Sequence, residues 1–198
     1  MVEAAPRKVW AKRVLYLALC FTLIFLHLLP LDMLAFRGIS ENAGDLIEPR
    51  LLRPIRWAGP DLMLAFTLAW VRRRPDYIPA ILVAFVFLLA DLLFQRPPGL
   101  LSVIVVLACE LQRRRTMLFR TQPLLVEWFN VAIVVAAIAL ANRLVLSVTF
   151  VDQVPLGLNL MQVIATVLVY PLVVFATQVI FGVRRTTKKD IAAMGVGI

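Results

Sequence analysis

The chain has 198 residues, of which 62% are hydrophobic and only 17% charged, whereas a soluble domain would hold about 45–50% apolar residues. With a mean hydropathy of +0.88, it is predicted to be an integral membrane protein. A formal charge of +9 raises a nucleic-acid partner, but the cations sit at the ends of apolar runs without interleaved aromatic residues, so none is expected.

Apolar runs cover residues 14–36, 57–71, 78–94, 100–111, 124–150 and 161–183. A helix rising about 1.5 Å per residue needs about twenty residues to cross a hydrocarbon core of about 30 Å. The first run is that long and has no AxA-like cleavage pattern after it, so it predicts a retained span rather than a secretory signal. It holds His27, the sole histidine, which excludes HExxH and any multi-histidine metal site. Asp32 lies about 140° around the helix from His27, so the two share no face and His27 is expected to pack against a neighbouring helix. Cys20 and Cys109 lie in apolar runs without ligand spacing and read as small buried hydrophobes. No catalytic, cofactor-binding or metal-ligating residue is expected.

The second and fourth runs are short, yet each ends in an arginine triplet, Arg72, Arg73 and Arg74 or Arg113, Arg114 and Arg115. Long arginine stems can snorkel and extend the usable helix. The remaining basic clusters are Arg7, Lys8, Lys12 and Arg13, then Arg184, Arg185, Lys188 and Lys189. Counting six spans puts all four clusters on one face, and the positive-inside rule makes that face cytoplasmic, with both termini inside. The longest outer connection, residues 37–56, mixes Arg37, Arg50, Arg53 and Arg56 with Glu41, Asp45 and Glu48. The expected architecture is therefore all-α, a single six-helix membrane domain of three hairpins over residues 1–198, with a small-residue tail, 190–198, expected to be disordered.

Carboxylates within spans carry more information, because a charge in lipid is costly and usually retained for a reason. Asp61 opens the second span and Asp91 lies in the outer half of the third. Two readings stand for them: a polar clamp or small site shared with Arg53, Arg56 and Arg96, or helix-end capping and inter-helix hydrogen bonding. Glu110 precedes Arg113 and Arg114 by three and four residues, the spacing of an ion pair on one helix face. Glu127 and Asn130 either line a groove for a partner or face interfacial water, and Arg143 reads as an outer anchor. Alanines recur at four-residue spacing, Ala65 with Ala69 and Ala132 with Ala136 among them, which permits close helix contact. Asn159, Gln162 and Thr166 follow an i, i+3, i+7 face with Tyr170 beyond, the one set of hydrogen-bonding groups suited to a small-molecule site.

Residues 57–110 resemble the bacterial rod shape-determining membrane protein family MreD, particularly its alphaproteobacterial form. The resemblance rests on Pro60, Asp61 and Leu62; Trp70, Val71, Arg74 and Pro75; Ala90, Asp91, Leu92 and Leu93; and Gln95, Arg96, Pro97, Pro98, Gly99 and Leu100. One departure is that Phe87, Leu88, Leu89 and Ala90 stand where many relatives carry a glycine before the aspartate. The resemblance implies a non-enzymatic inner-membrane scaffold of the cell-elongation complex, working with the periplasmic scaffold MreC, the actin-like MreB, the glycosyltransferase RodA and a class B penicillin-binding protein. It also implies a fold similar to the substrate-binding subunits of energy-coupling vitamin transporters, which keeps a small-molecule binding subunit as the alternative. Candidate site residues are Pro60, Asp61, Asp91, Arg96, Pro98 and Gly99 for the polar clamp and family motif. A cytoplasmic basic face of Arg72, Arg73, Arg74, Arg113, Arg114, Arg115, Arg184 and Arg185 would meet anionic lipid or a protein partner.

Overall fold

A computed structural model of the protein describes residues 6–29, 58–118, 124–151 and 153–180. Within them the chain is all-helical, with no strand: α1 (Pro6–Leu28), α2 (Leu62–Arg73), α3 (Ala80–Leu93), α4 (Leu100–Leu118), α5 (Leu124–Val148) and α6 (Leu156–Val179), plus a 3-10 turn, Pro75–Tyr77. The stretches Val9–Leu28, Leu125–Val148 and Leu156–Val179 are long and apolar enough to cross a membrane. The chain is accordingly a membrane protein by the length and composition of these helices.

Several boundaries differ from the apolar runs. Helix α1 is already formed at Pro6, so Lys12 and Arg13 lie on the helix rather than before it. Helix α4 continues to Leu118 and carries the second arginine triplet within it. Helix α6 begins at Leu156, earlier than residue 161, because Pro155 stands at its N-cap and proline is compatible with a helix start. The expected tail 190–198, the connection bearing Arg37, Arg50, Arg53 and Arg56, and Arg184 and Arg185 lie outside the described residues.

Helix α2 is short, 12 residues or about 18 Å, yet nine of its residues are buried, which makes it the centre of the bundle. It packs against α1, α4 and α6, while α3 packs on α4 and α5 on both α4 and α6. Ala65 and Ala69 lie fully inside this contact, where small side chains let helices approach when lipid provides no hydrophobic drive. Tyr16 of α1 shares a 2.9 Å hydrogen bond with Thr67, and its ring tilts against Trp70 at 5.8 Å. His27 meets the Phe94 ring at 4.6 Å, the inter-helix contact expected for it, and Cys20 and Cys109 are both buried.

Many large apolar side chains of the described residues face outward. Leu125, Phe129, Ile133, Leu140 and Leu144 form an exposed stripe on α5, and Leu160, Ile164, Leu168, Leu172 and Phe175 one on α6. Spacings of three, four and seven residues keep each stripe on a single helix face, the pattern suited to lipid.

Helix ends follow local chemistry. The Asp61 carboxylate accepts the Leu64 N–H at 2.9 Å and caps α2. At the other end, Pro75 forces Arg74 out of helical geometry, with φ −146° and ψ 79°. Helices α3 and α5 end differently from α2 and like each other. Arg96 N–H reaches Asp91 O at 3.0 Å and Val151 N–H reaches Leu146 O at 3.2 Å, with Gln95 (φ 54°) and Phe150 (φ 52°) in the left-handed region. These are Schellman closures, in which glycine is usual at that position.

Candidate functional site

Two polar assemblies occupy opposite ends of the bundle. The first gathers around the end of α2. Glu127, in the first turn of α5, is 1% exposed, and its Oε1 accepts the Tyr170 hydroxyl at 3.1 Å. The same carboxylate lies 3.9 Å from Arg72 Nε and 4.0 Å from Arg73 Nη2. Arg72 Nη1 donates to Gln112 Oε1 at 2.9 Å and Asn130 Oδ1 at 3.0 Å, and Gln112 Nε2 closes the triangle onto Asn130 Oδ1 at 2.9 Å. With the Gln178 amide oriented to satisfy both partners, its oxygen accepts from Arg73 Nη1 and Nη2. Helices α2, α4, α5 and α6 are thus joined by one buried network.

Two guanidiniums meet one carboxylate in this network, and amide oxygens of Gln112, Asn130 and Gln178 solvate them further, at a helix C-terminus whose dipole favours cations. This corrects the expectation of a surface role for the first triplet: the side chain of Arg73 is fully buried and that of Arg72 only 11% exposed. It also replaces both sequence readings of Glu127 and Asn130, which face the interior rather than a groove or interfacial water. Arg74 instead lies over the Tyr77 ring at 5.8 Å. Arg114 is exposed and pairs with Glu110 at 3.7 Å, as Arg113 does at 3.2 Å, in agreement with the helix spacing. Arg113 also donates to Ile78 O at 2.6 Å, anchoring the start of α3. Among these described arginines, only Arg114 and Arg115 remain as a clearly exposed basic surface.

The second assembly is a cavity of about 340 Å³ at the other end. Its walls come from the start of α2 with Asp61 and Leu64, the α3–α4 turn with Gln95 and Arg96, and the second half of α5 with Val135, Ile138, Asn142 and Arg143. The first half of α6 completes it with Asn159, Gln162 and Thr166. Thr166 Oγ1 accepts the Asp61 N–H at 2.9 Å and donates to Gln162 O at 2.7 Å, so the floor is satisfied internally. Arg143 lines this cavity and donates to Val154 O at 3.1 Å, a more specific position than an outer anchor.

Of the clamp candidates, Asp61 and Arg96 line the cavity, whereas Asp91 does not. Asp91 is buried and accepts the Ser102 N–H at 3.2 Å, serving the start of α4. Each aspartate therefore serves a different helix start. Gly99 holds the turn before α4 with φ +86°; an added Cβ would meet only Leu88 Cδ1 at 3.8 Å, so the requirement there is conformational. Pro60 precedes the α2 cap, and Pro98 lies in the α3–α4 turn.

No family model, curated protein or solved structure matches the chain.

Among the described residues, no group of three or more His, Cys, Asp or Glu side chains could hold a metal ion. One inter-helix contact escaped sequence reasoning although its signal was present. Pro171 lies inside α6 and supplies no N–H to the carbonyl four residues earlier. That carbonyl, Val167 O, accepts Trp128 Nε1 at 2.8 Å. The proline thereby creates the acceptor that ties α5 to α6.

Proposed function

We infer that the chain is a non-enzymatic inner-membrane scaffold of the MreD type, which binds an MreC-like partner and helps position peptidoglycan synthesis and maintain cell shape. The observation that carries this reading is the use made of the residues bearing the resemblance. Asp61 caps α2, Asp91 serves the start of α4, and Gly99 makes the intervening turn, so the motif builds one end of a helical bundle. The buried Arg72, Arg73 and Glu127 network is likewise occupied with internal partners. Lipid-facing stripes on α5 and α6 provide helix surfaces suited to a membrane-embedded partner.

Six spans arranged as three hairpins, with both termini cytoplasmic, belong to the same proposal. It is supported by the gathering of Arg72, Gln112, Glu127 and Tyr170 at one end and Asp61, Arg96, Arg143 and Asn159 at the other. RodA-like, class B penicillin-binding and MreB-like partners would join through the complex. The test is co-purification with an MreC-like partner after mild detergent extraction, together with cell shape after gene deletion. Capture of the partner and loss of rod shape are expected; retention of rod shape without any complex would refute the reading.

A small-molecule binding subunit is a second reading, favoured by Asn159, Gln162 and Thr166 lining one cavity. Several hydrogen-bonding groups converging on a concave site are the usual mark of such a pocket. A vitamin panel tests it through thermal stabilisation; no response to any member would count against it.

A further inference from the structure

The cavity differs from the opposite end of the bundle in its charge accounting. At the α2 terminus and along α4, Arg72, Arg73, Arg113 and Arg114 each have a carboxylate within 4.0 Å. Among the described residues, Arg96 and Arg143 of the cavity have none. Arg96 lies over the Phe94 ring at 5.4 Å, and Arg143 commits one Nη to Val154 O. Each retains N–H groups to offer, since a guanidinium carries five. Asp61 is the acid of the lining, and its Oδ1 is committed to the α2 cap. Among the described lining residues, two guanidiniums thus accompany one carboxylate, and Asp91 acts on Arg96 electrostatically from outside the lining.

Polarity also varies with depth. Arg143 and Val135 are eight residues apart on α5, or about 12 Å along its axis. The arginine belongs to the rim, and Val135, Ile138 and Leu64 belong to the apolar lower wall. Between these levels, Asn142, Asn159 and Gln162 offer amide donors and acceptors suited to hydroxyl groups. The volume of about 340 Å³ lies at the small end for ligand sites, enough for a headgroup and a few methylenes rather than a whole lipid. Both turns that border the rim carry non-glycine residues with positive φ, Gln95 and Phe150, a conformational cost of the sort that accumulates around functional sites.

We propose that this cavity binds a phosphate ester bearing hydroxyl groups, supplied as the headgroup of an anionic phospholipid whose acyl chains lie mainly against the apolar exterior. Arg96 and Arg143 meet the phosphate, the amides meet the hydroxyls, and the lower wall receives the first methylenes. This rests on the second reading above, that the cavity is a ligand site.

The full-length chain in detergent is titrated with phosphatidylglycerol, with phosphatidylcholine of the same acyl chains, and with glycerol phosphate, and thermal stabilisation is read as binding. Phosphatidylglycerol is expected to stabilise and phosphatidylcholine not. Arg96→Gln and Arg143→Gln should each weaken the response about tenfold, the size expected for one charge-assisted hydrogen bond, while Arg96→Lys loses less. The Arg114→Gln/Arg115→Gln double variant, at the opposite end, should respond like the wild type. Equal responses to the two lipids, or loss of response in the Arg114/Arg115 variant alone, would overturn the proposal. Glycerol phosphate acting as well as phosphatidylglycerol, with the same dependence on Arg96 and Arg143, would overturn the lipid source. A vitamin that stabilises when no phosphate ester does would overturn the proposal and leave the second reading standing; failure of every probe would remove both.

Discussion

Replacing Glu127 with alanine isolates the buried network. Its carboxylate lies 3.9 and 4.0 Å from Arg72 and Arg73, and each such pair is worth about 4 kcal/mol at an effective dielectric near 20 before desolvation is subtracted. Removing the acid leaves two buried guanidiniums facing only amides and the Tyr170 hydroxyl. Breaking a buried pair in this way costs about 3–5 kcal/mol. At about 2–4 °C per kcal/mol for a chain of this length, Glu127→Ala should lower the unfolding midpoint by roughly 6–20 °C. The assay is the fraction remaining monodisperse on size exclusion after heating in detergent. Glu127→Gln should lose less, because it keeps the shape and an acceptor for Tyr170. Glu110→Ala is the control: Glu110 is 40% exposed, and an exposed pair is worth about 1 kcal/mol or less. Adding Arg73→Met to Glu127→Ala should recover part of the loss, since an apolar replacement for a buried ion pair is often neutral. A shift for Glu127→Ala no larger than that for Glu110→Ala would refute the account of the network.

The same thermal assay checks the local devices. Trp128→Phe leaves Val167 O without its donor and should cost about 1–3 kcal/mol; the loss should shrink in a Pro171→Ala background, where a backbone N–H becomes available. Gly99→Ala should cost about 1 kcal/mol, because the site has room for Cβ but requires φ +86°. Phe150→Gly should instead raise the midpoint by the equivalent of about 0.5–1 kcal/mol, since Phe150 is 96% exposed and its φ of 52° is one that glycine adopts without strain. Asp91→Ala should cost about 1–2 kcal/mol through loss of its cap, and Asp91→Asn much less. If Asp91→Asn keeps its stability but loses the MreC-like partner in co-purification, Asp91 has a partner role beyond capping.

The helical class was legible because long apolar runs and interrupting prolines are local properties. Pro75 and Pro79 mark boundaries by removing donors and constraining their neighbours, whereas the start set by Pro155 lies five residues before the apolar run from 161. The Glu110 pairing with Arg113 and Arg114 was legible for the same reason, since i, i+3 and i, i+4 contacts need only one helix. The face formed by Asn159, Gln162 and Thr166 was also visible, but its apposition to Asp61, Arg96 and Arg143 was not. Those residues come from separate helices and turns, and one-dimensional spacing carries no information about which helices meet.

Composition alone required a membrane setting, and local spacing chose helices and many of their ends. Only the tertiary structure decided which charges face outward. Arg72, Arg73 and Arg74 are equivalent as a basic triplet in sequence, yet the packing of α2 against α4 and α6 buries the first two beside Glu127 of α5 and leaves Arg74 over Tyr77. The physical reason is that a guanidinium can enter an apolar bundle only where distant residues supply its carboxylate and amide partners, and those partners meet only when the helices assemble.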